Sequence, residues 1–354
     1  MTHIIEKTDL AIGGQNGWEC YRIPGIVVTS KGTILAYYET RTSPGDWDTE
    51  NIAMRRSSDN GESWEPQRLL VENPEKDTVN NPVMIACRNG DIHFLWQKNY
   101  RRVFHQISYD DGNSWTEAQD ITVFMDGFRK YYDWTVMALG PGHGIELSDG
   151  DLLIAVWLSN GGGEAHSPSE VATILSPDGG KTWKCGQIIK HSEDIVNPNE
   201  SSVAQMADGR IMINMRQCSD ARQRAVAVSP DGINSWSEPR LEPMLPDPIC
   251  FGSLLSLPES EIMLFINCDT KGISPNGVNT RPRINLTLKA SRDKGAAWPE
   301  AWLIENKSGY ADLAASPDGK WVYCFYEREW VQGKQFHPEA LTFARIDAEK
   351  IGLR

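Results

Sequence analysis

The stretch SSDNGESW at positions 57–64 decides the fold of this chain, because variants of it return four more times. The pattern is Ser-x-Asp-x-Gly-x-x-Trp, and the glycine of the fourth copy is displaced by one position. The copies occupy positions 57–64, 108–115, 176–183, 229–236 and 291–298. In such a stretch the Asp side chain caps turn amides, glycine supplies a positive φ, and Trp is expected to pack back on its own sheet. We therefore interpret these aspartates as turn residues and not as catalysts.

A second kind of turn, flanked by β-branched or apolar runs, recurs six times. Its centres are Gly32, Gly90, Gly150, Gly209, Ser260 and Gly319, which are 58, 60, 59, 51 and 59 residues apart. An apolar run such as 23–28 precedes each turn and another such as 34–38 follows it. Each copy is therefore predicted to be a β-hairpin.

Six units of about 59 residues, each with three or four short strands, predict an all-β fold, a six-bladed β-propeller. The period covers the chain, so residues 1–354 are predicted to form a single domain. A strand from the N-terminal stretch 4–11 is expected to complete the last blade beside residues 341–346. The turn-rich stretches 161–169 and 269–280 are expected to be surface loops that shape a pocket.

The charge of the chain excludes some classes of partner. With 48 acidic against 35 basic residues the formal net charge is −13, which argues against a nucleic-acid binder and against a polybasic membrane anchor. The first thirty residues contain no signal-peptide core and no stretch is apolar enough to span a membrane, so a cytoplasmic protein is predicted. A secreted or periplasmic protein whose signal peptide has been removed is the alternative. The seven cysteines are scattered singly, which favours reduced structural thiols and predicts no metal site.

The hairpin repeat brings distant polar residues to one rim of the ring. Arg22, Glu200 and Tyr310 lie ten, nine and nine residues before the turns of blades one, four and six, on the predicted first strands. The second strands and a later segment of blade five add further residues to the same rim, namely Glu39, Arg41, Arg216, Arg283 and Glu327. Since arginines bind carboxylates bidentately, a site for a small acidic ligand is predicted. Charged residues simply solvated at a rim are the alternative.

Several motifs at these positions resemble a known family, the non-viral sialidases (exo-α-sialidases, neuraminidases). The motifs are YRIP at 21–24, GPGHG at 140–144, GYADL at 309–313 and YE at 326–327. The five Ser-x-Asp-x-Gly-x-x-Trp turns described above correspond to the repeated turns of the family, which are called Asp boxes. The resemblance covers nearly the whole chain. One departure is Ala311, which stands where the family often has Ser.

The resemblance implies roles for individual residues. Arg22, Arg216 and Arg283 correspond to the triad that clamps the sugar carboxylate, while Glu327 and Arg41 support the site. Tyr310 corresponds to the nucleophile and Glu200 to its base. The acid/base aspartate lies in the loop 41–48, where Asp46 is expected to fill the role and Asp48 is its rival.

The sequence leaves two assignments undecided: the third arginine of the clamp and the residues that line the substrate pockets. Arg281 is a rival of Arg283, since a spacing of two residues predicts the same strand face. The pockets for an acetamido group and a glycerol tail are not identifiable; His143, Trp47 and Trp134 are candidates for lining the site.

The function implied by the resemblance is that of a retaining exo-glycoside hydrolase which releases terminal sialic acid from glycans without a metal or cofactor. A carboxylate nucleophile would be repelled by the carboxylate of the sugar, whereas a neutral tyrosine hydroxyl avoids that repulsion. Two alternatives stand beside this expectation: a hydrolase for another acidic 2-keto sugar such as Kdn or Kdo, and a glycan-binding propeller without catalysis.

Overall fold

In the described part of the chain, six antiparallel sheets follow one another and form the blades of a β-propeller, and the last two are continuous through one long strand. The computed structural model describes residues 5–74, 77–161, 166–189, 191–272 and 281–354. Blades one to three consist of β2 (Cys20–Val28), β3 (Ile34–Arg41), β4 (Thr49–Ser57) and β5 (Arg68–Val71); β6 (Val79–Ala86), β7 (Ile92–Lys98), β8 (Arg102–Ser108) and β9 (Gln119–Asp120); and β10 (Val136–Leu139), β11 (Ile145–Glu146), β12 (Leu152–Ser159), β13 (Ser169–Ser176) and β14 (Lys184–Cys185). The predicted all-β six-bladed fold is confirmed.

Of the other three blades, five and six share one strand and blade four is separate. Blades four to six consist of β15 (Ser201–Gln205), β16 (Ile211–Met215), β17 (Gln223–Ser229) and β18 (Arg240–Pro246); β19 (Ser253–Ser256), β20 (Met263–Cys268), β21 (Ile284–Ser291) and the first half of β22 (Glu300–Ala315); and the second half of β22, β23 (Trp321–Arg328), β24 (Ala340–Asp347) and β1 (Ile5–Ile12). The helical segments within the described ranges are short: α1 (Thr122–Met125) and two 3-10 turns, Asp126–Lys130 and Val331–Gly333. No helix among the described residues is long and apolar enough to cross a membrane.

The six predicted hairpin turns join the inner strands of the blades. In each turn a backbone N–H bonds to the carbonyl four or five residues later, as Thr29 does to Thr33 at 2.9 Å and Ser316 does to Trp321 at 2.9 Å. The predicted closure is also confirmed, because β1 pairs antiparallel with β24 from Ile5 opposite Ile346 to Ile12 opposite Ala340. Ile4, which the prediction included, lies outside the described residues. The extent of the domain, 1–354, stays a prediction.

The core is divided among the interfaces between blades. Six of the seven clusters of buried apolar side chains in the described part of the chain each lie between two neighbouring blades. Between blades one and six, for example, Ile26 and Tyr38 pack with Phe325 and Phe343. Burial of apolar surface therefore stabilises the ring as a whole, since each blade buries its two faces against its neighbours.

The Asp-box turns form as predicted at the level of the backbone. In the first copy Ser57 Oγ donates to Asp59 at 2.7 Å, and Asp59 accepts the Ser63 N–H at 2.9 Å while Gly61 has φ +80°. The expectation that each Trp packs on its own sheet is incomplete for two copies, which also contact the preceding blade. Trp64 contacts Phe343 of blade six with ring centroids 5.0 Å apart, and Trp183 contacts His105 of blade two at 6.0 Å.

The reason is that the box sits at the boundary between blades. An added Cβ on the five box glycines would meet, in chain order, Phe343, Leu35, His105, Leu153 and Met212, and each of these belongs to the preceding blade. The glycine is therefore required both by its positive φ and by the close approach of the neighbouring blade.

Candidate active site

The predicted rim residues meet at one end of the ring. Arg22 lies in β2 and Tyr310 in β22, while Glu200 immediately precedes β15. On the second strands, Arg41 ends β3, Arg216 follows β16 and Glu327 lies in β23. Arg283 immediately precedes β21. Contacts among these side chains, described next, join blades one, four, five and six.

Tyr310, Glu200 and Arg216 form the centre of the site. The phenol of Tyr310 donates to Glu200 Oε1, and Arg216 Nη1 donates both to Glu200 Oε2 and, at 3.0 Å, to the phenol oxygen. Tyr310 and Glu200 are each only 6% exposed. These three groups thus form a buried, hydrogen-bonded unit of opposite charges around one hydroxyl.

The environment sets the protonation of this unit. Burial and the charge of Glu200 raise the pKa of Tyr310 against the opposing effect of the arginines, so the phenol is neutral in the free protein. Burial alone would raise the pKa of Glu200, but the charge of Arg216 and the hydrogen bond from Tyr310 outweigh it and lower the pKa. Glu200 is therefore ionised and placed to accept the phenolic proton.

Three arginines surround the Tyr310 side chain. The guanidinium carbons of Arg22 and Arg283 lie 5.4 and 5.1 Å from the centroid of its ring, and Arg216 contacts its hydroxyl. Arg283 Nη1 and Arg216 Nε are buried and have no hydrogen-bond partner among the described residues. The site thus presents concentrated positive charge and free N–H donors, which suit a carboxylate.

Glu327 holds two of these elements together. Its Oε1 accepts Arg22 Nε at 2.9 Å, and its Oε2 accepts the backbone N–H of Tyr310 at 3.1 Å. Because Glu327 is buried and bonded to both, it fixes the Arg22 side chain relative to the strand that carries Tyr310.

The loop after β3 brings Asp46, and not Asp48, to the arginines. Asp46 Oδ1 lies 3.1 Å from Arg41 Nη1 and 3.4 Å from Arg22 Nη1, and its side chain is 42% exposed. Asp48 is exposed and accepts the Ser43 hydroxyl at 2.5 Å. Burial would raise the pKa of Asp46, but the charges of Arg41 and Arg22 outweigh it and hold the pKa well below its usual value.

Arg41 holds the backbone of this loop through hydrogen bonds. It is fully buried, its Nε lies 2.9 Å from Glu39 Oε2, and its Nη1 donates to the carbonyls of Pro44 at 3.1 Å and Gly45 at 3.0 Å. A buried guanidinium with these partners fixes the backbone just before Asp46.

Arg281 is not brought to the site. The expectation that it shares a strand face with Arg283 is wrong, because β21 begins only at Ile284 and Arg281 has a left-handed φ of +47°. Arg281 is exposed, whereas Arg283 is 4% exposed and lies against Tyr310.

The three candidates for pocket lining have different surroundings. Trp134 is 2% exposed and stacks on Arg129 at 3.8 Å, and His143 is buried with Nδ1 2.8 Å from Asp312. Trp47, beside Asp46, is 40% exposed and packs edge-on against Tyr100 at 5.1 Å. Of the three, Trp47 alone combines exposure with a position next to a predicted catalytic residue.

Sequence reasoning missed His166. Its ring stacks on Trp157 with centroids 5.0 Å apart, and it lies near enough to Glu200 and Asp46 that a proton on the ring lowers the pKa of each carboxyl. Burial and then the charge of Arg216 lower the pKa of His166. No repeat or motif marks this position, which lies in the predicted loop 161–169.

Parts of the two predicted pocket loops lie outside the described residues, namely 162–165 and 273–280. Within the described ranges, no three or more His, Cys, Asp or Glu side chains are grouped so as to hold a metal ion.

Comparisons with known proteins agree with the motifs. A family model described as a BNR repeat-like domain matches residues 74–323. A sialidase of Bacteroides fragilis is 28% identical over 342 residues, which cover 85% of this chain and 59% of the relative. Sialidase-3 of Mus musculus is 29% identical over 372 residues, which cover 87% of each protein. This chain therefore spans nearly the length of the mouse relative but only about three fifths of the bacterial one.

Solved structures show the same fold. The Hadza microbial sialidase Hz136 matches with a TM-score of 0.80 and 25% identity, covering 97% of this chain and 69% of that chain. A sialidase of Trypanosoma rangeli matches with a TM-score of 0.76 and 19% identity, covering 100% of this chain and 61% of the other. The second likeness concerns the fold alone.

Proposed function

The chain belongs to the BNR repeat-like domain family and, within it, to the non-viral sialidases, and from that membership we propose that it is a retaining exo-sialidase. It releases terminal sialic acid from glycans through a covalent intermediate on Tyr310. The observation that carries the proposal is the hydrogen bond from the Tyr310 phenol to Glu200, beside Arg216, which donates to both groups.

The substrate binds through its carboxylate. Arg22, Arg216 and Arg283 face one phenol from different blades, and two of their buried N–H groups lack partners in the part of the chain that the structure describes. A carboxylate attached to the anomeric carbon places that carbon beside the Tyr310 oxygen. Binding at the arginines thus orients the sugar for attack.

In the first step the Tyr310 oxygen forms a bond to the anomeric carbon while the bond to the leaving oxygen breaks. The phenolic proton passes to Glu200, to which it is already hydrogen-bonded. Positive charge that develops at the sugar ring is balanced by the substrate carboxylate, which the arginines hold in place.

Asp46 donates a proton to the leaving oxygen. In the free protein the charges of Arg41 and Arg22 lower the pKa of this carboxyl, which opposes its use as an acid. A bound carboxylate neutralises part of the Arg22 charge, so substrate binding shifts the pKa of Asp46 back toward its ordinary value. Exposure of Asp46 to solvent lets it take up the proton.

In the second step Asp46, now ionised, removes a proton from water, and the resulting hydroxide attacks the anomeric carbon. The bond to Tyr310 breaks, and Glu200 returns its proton to the phenolate. Two displacements at the same carbon leave the configuration of the sugar unchanged.

Trapping the intermediate tests the proposal. A 2,3-difluoro sialic acid derivative should add one glycosyl mass to the protein, and peptide mass spectrometry should place that mass on Tyr310. In parallel, NMR of an aryl α-sialoside reaction should show the α anomer as the first product. Release of the β anomer first, or a label on another residue, contradicts the mechanism.

The sugar itself is tested with a panel of aryl α-ketosides of N-acetylneuraminate, Kdn and Kdo. We expect the highest kcat/KM for N-acetylneuraminate. Turnover of the Kdn or Kdo ketoside with none of the N-acetylneuraminate ketoside assigns the site to another 2-keto sugar. Binding of all three without turnover favours a glycan-binding propeller.

A further inference from the structure

Asp312 lies two residues after Tyr310 in β22, at a point where four blades meet. It is fully buried, and its carboxylate accepts hydrogen bonds from three other blades. The donors are Ser253 Oγ of blade five at 2.7 Å, His143 Nδ1 of blade three at 2.8 Å and the Ile26 N–H of blade one at 2.9 Å. We call these four residues the hub.

His143 is the ionisable partner of Asp312 in the hub. Burial would lower the pKa of His143, but the carboxylate of Asp312 outweighs it and raises the pKa. The Ser253 hydroxyl and the Ile26 N–H donate two further, neutral hydrogen bonds to the same carboxylate. A buried carboxylate with this set of partners is held in one place by all of them.

The hub joins the two strands that carry Arg22 and Tyr310. Ile26 lies on β2 four residues after Arg22, and Asp312 lies on β22 two residues after Tyr310. On the side of the hub that faces the site, Glu327 joins the same two strands through Arg22 and the Tyr310 N–H.

These side-chain links matter because the backbone ladders are interrupted at both places. The pairing of β2 with β3 shifts register between Arg22 and Gly25, and that of β22 with β23 shifts between Ser308 and Ala311. A register shift leaves the local backbone less firmly fixed by its neighbour strand. The carboxylates of Glu327 and Asp312 instead fix the strands that carry Arg22 and Tyr310.

We propose that Asp312 is a positioning residue, which sets the separation between the Tyr310 hydroxyl and the Arg22 side chain through its bonds to His143, Ser253 and Ile26. The inference rests on the proposed role of Tyr310 as nucleophile. Asp312 itself does not touch the substrate; it fixes the strand from which Tyr310 attacks.

The test compares Asp312→Asn with Gln97→Met. The amide keeps one acceptor and turns the other oxygen into an N–H donor. With the amide oxygen at the Oδ1 position the Ile26 N–H loses its partner, and with it at the Oδ2 position the Ser253 and His143 donors lose theirs. Gln97 provides a matched control: it is fully buried and joins blades two and three by bonds to Met137 O at 2.8 Å and Leu139 N at 2.9 Å. Gln97→Met removes these two buried hydrogen bonds, neither of which involves β2 or β22.

We expect Asp312→Asn to lower kcat about tenfold or more while KM changes less than about threefold, since Arg216 and Arg283 still bind the carboxylate. Gln97→Met should lower the melting temperature comparably and leave kcat within about twofold. An unchanged kcat in Asp312→Asn, or an equal fall of kcat in both variants, overturns the proposal.

His143 supplies a second pair of variants if Asp312→Asn does not fold. His143→Gln retains an N–H donor toward Asp312, whereas His143→Phe does not. We expect kcat to fall in the Phe variant and to be largely restored in the Gln variant. An equal fall of kcat in the two variants overturns the role of this hydrogen bond.

A readout without turnover separates this proposal from the proposed function. The crystal structure of Asp312→Asn should show the Tyr310 hydroxyl displaced from Arg22 relative to the wild-type protein, whatever the protein hydrolyses. An unchanged separation contradicts the hub. Absence of wild-type turnover on every sialoside contradicts the proposed function instead.

Discussion

Tyr310 and Glu200 share a hydrogen bond although they are 110 residues apart and lie in blades six and four. Neither blade alone contains both groups, so the pair exists only in the closed ring. Arg216, which contacts both, adds the second strand of blade four to the same unit.

Replacing Tyr310 with Phe should remove turnover and spare binding. The ring remains between Arg22 and Arg283, but the oxygen that attacks is lost, so kcat should fall about 10³-fold or more. Calorimetry with a 2,3-dehydro sialic acid analogue should give a Kd within about threefold of wild type. Tyr326→Phe, whose hydroxyl contacts Glu305 at 3.2 Å outside the site, is the control and should keep its kcat. Undiminished turnover by Tyr310→Phe would falsify the mechanism.

The two aspartates of the loop after β3 should behave differently. Asp46→Asn removes the acid beside Arg22 and should lower kcat/KM for a natural sialoside about 10²-fold to 10⁴-fold. The loss should be smaller for an aryl sialoside whose leaving group departs without protonation. Asp48→Asn, at an exposed position bonded to Ser43, should stay within about threefold on both substrates. The reverse order of effects assigns the acid to Asp48.

Arg283 and Arg281 form a matched pair for the carboxylate clamp. Lysine cannot reproduce the planar bidentate geometry of arginine, so Arg283→Lys should raise KM about tenfold or more. Arg281→Lys changes an exposed residue away from the phenol and should leave KM within about twofold. Steady-state kinetics on one sialoside measure KM for both variants. A larger rise of KM in Arg281→Lys than in Arg283→Lys would assign the carboxylate clamp to Arg281.

A buried histidine pair should make the fold sensitive to acid. His93 Nδ1 lies 2.9 Å from His105 Nε2, and burial lowers the pKa of His93 to about 4 and that of His105 to about 3. From the unfolded pKa of about 6.5 down to about 4 the unfolded chain binds more protons than the folded one, so the unfolding free energy falls as the pH falls.

The slope should reach about 1.4 kcal/mol per pH unit for each histidine within that window. Urea denaturation between pH 7 and 4.5 measures it in the wild type and in the double variant His93→Gln, His105→Gln, in which the slope should be shallower. His191→Gln, an exposed site, should keep the wild-type slope. Identical slopes in the wild type and the double variant would assign the acid sensitivity elsewhere.

The Asp-box glycine should be required for more than its backbone angle. A Cβ on Gly61 would lie 2.4 Å from the Phe343 ring, whereas a Cβ on Gly32, with a similar φ, meets nothing within 4 Å. Gly32→Ala should cost about 1 kcal/mol for the left-handed backbone, and Gly61→Ala about 1–3 kcal/mol more because it overpacks the blade interface. Chemical denaturation compares the two, and equal losses mean that Phe343 moves aside freely.

The repeat in the sequence predicted blades, hairpins and ring closure, because turn residues at a fixed interval are a local signal. It also predicted which rim Arg22, Glu200 and Tyr310 share, since equivalent positions in repeated hairpins point to the same end. Packing across a blade boundary was harder to predict. Trp64 contacts blade six because adjacent sheets are closely stacked there, and that stacking has no signature within the Asp box.

The positions of Arg281 and His166 could not be predicted because they depend on local backbone geometry. Alternation along a strand placed Arg281 on the same face as Arg283, but a left-handed residue before β21 breaks that alternation. His166 reaches the site from a loop without periodicity, where neither spacing nor motif identifies a direction. Asp312 was visible in the sequence only as part of the GYADL motif, and its hydrogen bonds to three other blades required the assembled ring.

The continuous strand β22 makes one junction of the ring intolerant of changes in length. It pairs with β21 up to Lys307 and with β23 from Ser308, so blade five passes into blade six without a loop. One inserted or deleted residue at this junction would turn the side chains that follow, including Tyr310, to the opposite face of the strand. Natural variation in length among proteins of this kind is therefore expected to accumulate at the other blade junctions and to avoid this one.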